Sequence, residues 1–106
     1  MSDLEISKAL ALAIGWVAFQ QDTLLGTVIL VYTGGKNDRV RTARSSWLVG
    51  YRVFDYRDWN VIGPIAERYN CFPWPAVAGW IAGSYGDWAT TPQKAIALAV
   101  INGAKK

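Results

Sequence analysis

The sequence predicts an α+β fold: one domain over residues 1–106, a three-layer helix–sheet–helix sandwich with three helices around a mostly antiparallel sheet of about four strands. Three observations predict it. Apolar residues recur at helical spacing in three separate segments. The runs between them are short, β-branched and apolar on both faces, so they need cover from two sides. Hydrophobic residues make up 52% of the chain and charged residues 18%, enough apolar surface to bury a core and too few charges for disorder.

The first helix opens on a capping box, Ser2 followed three residues later by Glu5. Its stripe is Ile6, Ala9, Leu10, Ala13, Ile14 and Val17, and Gly15-Trp16 marks its end. The apolar run Ala9 to Phe19 stops at Gln20, Gln21 and Asp22, about half the length a membrane span needs. Asp3 and Glu5 outnumber Lys8 at the start, unlike the positive flank of a signal peptide. A soluble protein of the cytoplasm is expected, with no membrane partner.

Thr27 to Tyr32 reads as a strand buried on both faces, and Gly34-Gly35 with Lys36, Asn37 and Asp38 as a loop. Val40 to Thr42 is a short strand and Trp47 to Phe54 a longer one, with Trp47, Val49, Tyr51 and Val53 on a common face. A second helix lies between Asp58 and Asn70 with the stripe Ile62, Ile65, Ala66 and Tyr69. Pro64 belongs in its first turn. Pro73 and Pro75 stop any helix, and Ala76 to Gly83 reads as a strand of small residues that lets a helix approach closely. Tyr85-Gly86-Asp87 is a turn. Thr90 or Thr91 caps a last helix, with Pro92 near its first position and Ala95, Ile96, Ala99 and Val100 inward, ending near Asn102-Gly103.

Composition removes whole classes of chemistry. The chain has no histidine and one cysteine, Cys71, which excludes disulfide frameworks, Cys/His zinc sites and every triad that contains histidine. Cys71 reads as a small buried residue at a helix end, since nothing beside it lowers its pKa. Ser45-Ser46 reads as loop. Asp55, Asp58 and Asp87 would have to converge to hydrolyse a substrate or hold a hard metal, and Asp58 and Asp87 have plain uses as a helix cap and a turn residue. Gly34-Gly35-Lys36 lacks the spacing of a phosphate loop. No catalytic residue, cofactor or metal is expected.

The charge pattern says more. Lys36, Arg39, Arg41, Arg44, Arg52 and Arg57 face two acids, Asp38 and Asp55, between residues 36 and 57. That stretch is net +4 and leaves the rest of the chain at −1. Interleaved with Trp47 and Tyr51, these cations suit an acidic protein partner, for which arginine and tryptophan are favoured contact residues. They equally suit phosphate contacts with base stacking, or a solvated hairpin that keeps the protein soluble. The candidate interface is Lys36, Arg39, Arg41, Arg44, Trp47, Tyr51 and Arg52. Of six tryptophans, Trp16, Trp59 and Trp80 are expected to face the core, whereas Trp47, Trp74 and Trp88 lie near loops as exposed anchors.

The helix ending Ile14-Gly15-Trp16, the entry Asp58-Trp59, the strand around Trp80 and the run Ala89-Thr90-Thr91-Pro92 into Ala95-Ile96 together resemble the small phage and prophage α-β-α ("ABA") sandwich proteins. The chain departs from them at Ala97-Leu98, where relatives often carry Cys-Arg, and in its arginine-rich segment. The resemblance implies a three-layer sandwich and a phage accessory role, with no catalytic residue to carry over. The expected function is therefore a non-enzymatic binding protein of the host cytoplasm, aimed at a host or defence-system protein such as an RNA-guided (CRISPR-type) complex. The alternative is nucleic-acid binding through residues 36–57. Val40–Thr42 would offer an exposed strand to a second copy, so monomer and homodimer both stay open.

Overall fold

A computed structural model describes residues 1–83 and 88–104; the expected turn at Tyr85-Gly86-Asp87 lies outside the described residues. The fold is α+β, with three helices and antiparallel sheets. In place of one sheet of about four strands, the described residues form seven short strands in three sheets. The chain divides into two compact units, Met1–Asp55 and Tyr56–Lys106.

In the first unit, α1 (Asp3–Ala13) begins on the expected capping box: Glu5 N–H donates to Ser2 Oγ at 3.2 Å and Ser2 N–H to Glu5 Oε1 at 3.4 Å. The helix stops short of Val17. Gly15 takes φ +87°, Gly15 N–H bonds Leu12 O, and Trp16 N–H bonds Ala11 O at 2.9 Å, the paired bonds of a glycine-terminated helix. Val17 is therefore off the helical stripe and exposed.

The chain then forms β1 (Ala18–Thr23), where the sequence predicts only the polar end of an apolar run. It pairs antiparallel with β2 (Gly26–Tyr32) across the two-residue connection Leu24-Leu25. Gly26 at φ +110° and the Thr23 hydroxyl, which donates to Gly26 O at 2.8 Å, close that turn. β2 is the central strand, and Ile29, Leu30 and Val31 are buried in succession, on both faces, as expected. α1 packs against β1 and β2 through Ile6, Leu10 and Ala11.

The expected strand Trp47–Phe54 is broken at Gly50. β4 (Trp47–Val49) pairs with β3 (Arg39–Arg41) in a separate two-stranded sheet, whereas β5 (Tyr51–Val53) joins β2. Gly50, buried at φ +87°, is a conformation that side chains with a Cβ rarely adopt. Its carbonyl accepts from Thr33 N–H at 2.7 Å and Gly34 N–H at 3.1 Å, and its N–H donates to Asp38 O at 2.6 Å.

In the second unit, α2 (Trp59–Arg68) is capped by Asp58, which accepts from Asn60 N–H at 2.9 Å. Asn70 at φ +53° ends it with the same bond pair as α1, Cys71 N–H to Ala66 O and Asn70 N–H to Glu67 O. Pro64 sits in the helix interior, not the first turn as expected. Gly63 before it has no Cβ for the proline ring to strike, which eases that placement.

The expected single strand Ala76–Gly83 is instead a hairpin of β6 (Pro73–Ala76) and β7 (Gly79–Ala82), turning at Val77-Ala78 with Ala78 at φ +60°. A two-residue connection closes on a hydrogen-bonded pair, here Ala76 with Gly79. By alternation Trp74 also turns its backbone groups to β7, and Pro73 and Pro75 face the open edge, where a missing N–H does no harm. Trp80 and Ala89 bridge on the other side of β7. α3 (Pro92–Ala104) starts where Thr91 Oγ1 accepts from Lys94 N–H at 3.2 Å. It packs on β6, β7 and α2. Small residues let it approach as expected: a Cβ on Gly83 would stand 3.3 Å from Ala99 Cβ.

Gly79 has a similar but tighter role, because a Cβ there would run into the Trp88 ring and the Ala89 carbonyl. Gly79→Ala is expected to lower stability by about 1–3 kcal/mol through forced displacement of Trp88, read as a reduced denaturant midpoint with unchanged slope. An unchanged midpoint would show that Trp88 is not seated on this glycine.

Candidate functional site

The β3–β4 hairpin organises the arginine-rich segment. Its register sets Arg39 opposite Val49, Val40 opposite Leu48 and Arg41 opposite Trp47. Strand alternation places Arg39, Arg41, Trp47 and Val49 on one exposed face, with Val40 and Leu48 half-buried on the other. The Arg39 guanidinium carbon lies 5.0 Å from the Trp47 ring centroid and that of Arg41 5.5 Å. At an exposed site each such contact is worth about 0.5–1 kcal/mol, enough to bias long side chains toward one position. Neither arginine pairs with a carboxylate among the described residues.

Arg44 rides on the turn that joins the two strands. That turn is held by Thr42 N–H to Ser46 O at 2.8 Å, Ser45 N–H to Thr42 O at 3.0 Å and a 2.7 Å contact between the Thr42 and Ser46 hydroxyls. Ser45 takes φ +64° within it. Beside the turn a recess of about 380 Å³ is lined by Gln21, Asp22, Thr42, Arg44 and Ser46, among others. Its mixture of carboxylate, guanidinium and hydroxyl groups was invisible in sequence, because Gln21 and Asp22 come from β1.

The remaining members of the expected interface stand elsewhere. Lys36 is exposed in the loop before β3. Tyr51 belongs to the three-stranded sheet, where it meets Phe19 and Tyr32 edge to face at 5.5 and 5.3 Å. Arg52 is engaged within the fold: its Nη2 donates to Asp38 Oδ1 at 2.9 Å. Val49, half of whose surface is open beside Arg39, was missing from the expected set, although its alternation with Trp47 marked it.

Asp38 ties this loop together. It accepts from Thr33 Oγ1 at 2.6 Å on one oxygen and from Arg52 on the other. The Thr33 hydroxyl first and the Arg52 guanidinium second hold its carboxyl below its ordinary pKa. Gly35 completes the motif: its N–H donates to Thr33 Oγ1, and a Cβ at that position would collide with the Asp38 carboxylate.

Asp58 caps α2, and Asp87 lies outside the described residues. Among the described residues no three His, Cys, Asp or Glu side chains gather as metal ligands. Cys71 is buried, its thiol donates to Tyr69 O at 3.3 Å, and desolvation pushes its pKa up, away from a reactive thiolate. Two tryptophans expected in the core are not there: Trp16 rests one side on Phe54 and is 37% exposed, and Trp59, at the outer end of the α2 stripe, is 51% exposed. Trp80 is half-buried, and Trp47, Trp74 and Trp88 are exposed. No described helix is long and apolar enough to cross a membrane. No protein-family model, curated protein or solved structure matches the chain.

The Asp38 contacts give a pH-dependent prediction. A carboxyl whose folded pKa is depressed contributes stability that is present above its ordinary value, about 4, and is lost as pH falls through the lowered folded value. Asp38→Asn is therefore expected to destabilise the protein at pH 7, with the gap to wild type closing in thermal melts below about pH 4. A gap that stays constant down to pH 2 would contradict the charge-assisted role.

Proposed function

We propose that this chain is a non-enzymatic phage or prophage accessory protein, akin to the small proteins its motifs resemble, that binds an acidic face of a host or defence-system protein in the host cytoplasm. The observation that carries the reading is the Arg39–Trp47–Arg41 cluster. Two guanidinium groups rest on one exposed indole and lack carboxylate partners among the described residues. The ring limits the rotamer freedom each arginine would lose on binding, and the planar guanidinium matches a carboxylate in bidentate fashion. Val49 adds apolar contact on the same face, and tryptophan with arginine is the composition of an interface centre.

A second reading, nucleic-acid binding, is favoured by Lys36 and Arg44, exposed cations in the loop before β3 and in the turn after it. Against it, Trp47 already carries two guanidinium groups, so a base would have to displace one to stack.

Titration with single-stranded and duplex DNA and RNA, at low and physiological salt, separates the two. The protein-binding reading expects no nucleic-acid complex at low salt. It also expects an acidic host protein retained on immobilised wild type, with affinity falling about tenfold or more for each of Arg39→Ala and Arg41→Ala, the loss of one charge-assisted contact each. Tight nucleic-acid binding whose log–log salt slope is about 0.7–0.9 per phosphate, abolished by the same substitutions, would overturn it in favour of the second reading.

A further inference from the structure

The recess beside the Thr42–Ser46 turn stands apart from the Arg39–Trp47–Arg41 cluster. Leu48, which lines it, lies on the opposite face of the β3–β4 hairpin from Trp47. Two parts of the first unit wall it. β1 is the edge strand of its sheet, and it meets the hairpin through one isolated bridge, Thr23 to Thr42, and one further bond, Ala43 N–H to Asp22 O at 3.1 Å. No ladder continues from that bridge, and residues of both parts line a space of about 380 Å³. That volume is at the small end of the roughly 300–1,000 Å³ of ligand pockets.

Opposite charges line this recess without pairing. Asp22 and Arg44 form no ion pair with each other, and Arg44 has no carboxylate partner among the described residues. Asp22 Oδ1 accepts from Thr27 Oγ1 at 2.7 Å, whereas Oδ2 has no partner among the described residues. Gln21 Nε2 donates to Asp22 O at 3.2 Å, which leaves the amide oxygen as an acceptor. The Thr42 and Ser46 hydroxyls stand 2.7 Å apart, and one proton suffices for that bond, so the second O–H proton is left to donate. The lining therefore offers donors to an anionic group, the guanidinium and a hydroxyl, and acceptors to a cationic one, the carboxylate and an amide oxygen.

We propose that this recess binds a free α-amino acid with an aliphatic side chain. Arg44 and the spare hydroxyl proton take the α-carboxylate, for which the planar guanidinium is a bidentate match. Asp22 Oδ2 and Gln21 Oε1 take the α-ammonium group. Ala43 and Leu48 supply the apolar contact for the side chain. Other small ligands answer the charges less well. A phosphorylated metabolite sets its anion against Asp22, a polyamine meets Arg44, and a neutral sugar covers both charges without neutralising either. One amino acid satisfies both.

Backbone amide NMR shifts, followed as L-valine is added to about 20 mM, test the proposal. Saturable shifts are expected at Asp22, Ala43, Arg44 and Ser46. N-acetyl-L-valine lacks the ammonium group and L-valinamide the carboxylate, and each should bind about tenfold or more weakly. Arg44→Ala and Asp22→Asn should weaken L-valine binding by a similar factor, with unchanged circular dichroism. Arg44→Ala decides the matter if Asp22→Asn fails to fold, because Arg44 is exposed on a turn. Arg39→Ala/Arg41→Ala should bind L-valine like wild type, which separates this site from the partner surface. No saturable shift at the top concentration, or binding by L-valinamide, N-acetyl-L-valine or glucose as tight as that of L-valine, would overturn the proposal.

Discussion

Gly50 is the constraint on which the arrangement of the first unit depends. A left-handed residue in the middle of an otherwise continuous β pattern ends one strand and starts another. Residues 47–49 thereby go to the β3–β4 hairpin and residues 51–53 to the sheet beside β2. Three backbone hydrogen bonds, from Thr33 and Gly34 to its carbonyl and from its own N–H to Asp38, fix the direction of the break. The same few residues hold Asp38 between Thr33 and Arg52, so the loop carrying Lys36 is tied to the turn that aims the hairpin.

That geometry divides the basic segment by role. Arg52 and Tyr51 come after the glycine and are spent on the fold, one in an ion pair and one in an aromatic cluster. Arg39, Arg41 and Trp47 come before it and meet on an exposed face. A uniform count of positive charge along residues 36–57 hides this division, because charge in sequence carries no information on whether a carboxylate is waiting across the loop.

Legibility in the sequence followed the range of the interactions. Helix starts were readable at Ser2, Asp58 and Thr91 because a cap is settled within three or four residues. The buried strand Thr27–Tyr32 was readable because unbroken β-branched residues leave little else. β1 was missed since an edge strand tolerates Gln20 and Gln21, and its Leu24-Leu25 turn lacks the usual turn residues except Gly26. The β6–β7 hairpin was missed because prolines at alternate positions look like a break until pairing shows that both lie on the open edge. The strand expected over Trp47–Phe54 ran straight through Gly50, because a glycine inside a strand pattern breaks it only when its φ turns positive, which composition does not reveal. Trp16 and Trp59 were expected inward because they stand where elements should meet the core; Trp16 follows the end of α1 and Trp59 opens α2, and both stand partly in water. For the candidate interface, the Arg39–Arg41 pair on one face was readable from alternation, whereas the partner indole required the register across the turn.

The central claim is that Gly50 delivers Trp47 to both arginines. Proton NMR of the arginine δ-methylene groups tests it most directly, because an indole ring at about 5 Å shifts nearby protons upfield. The account predicts upfield-shifted Arg39 and Arg41 signals in wild type that return to ordinary values in both Trp47→Leu and Gly50→Val. Ordinary arginine shifts in wild type, or upfield shifts that persist in Gly50→Val, would contradict it.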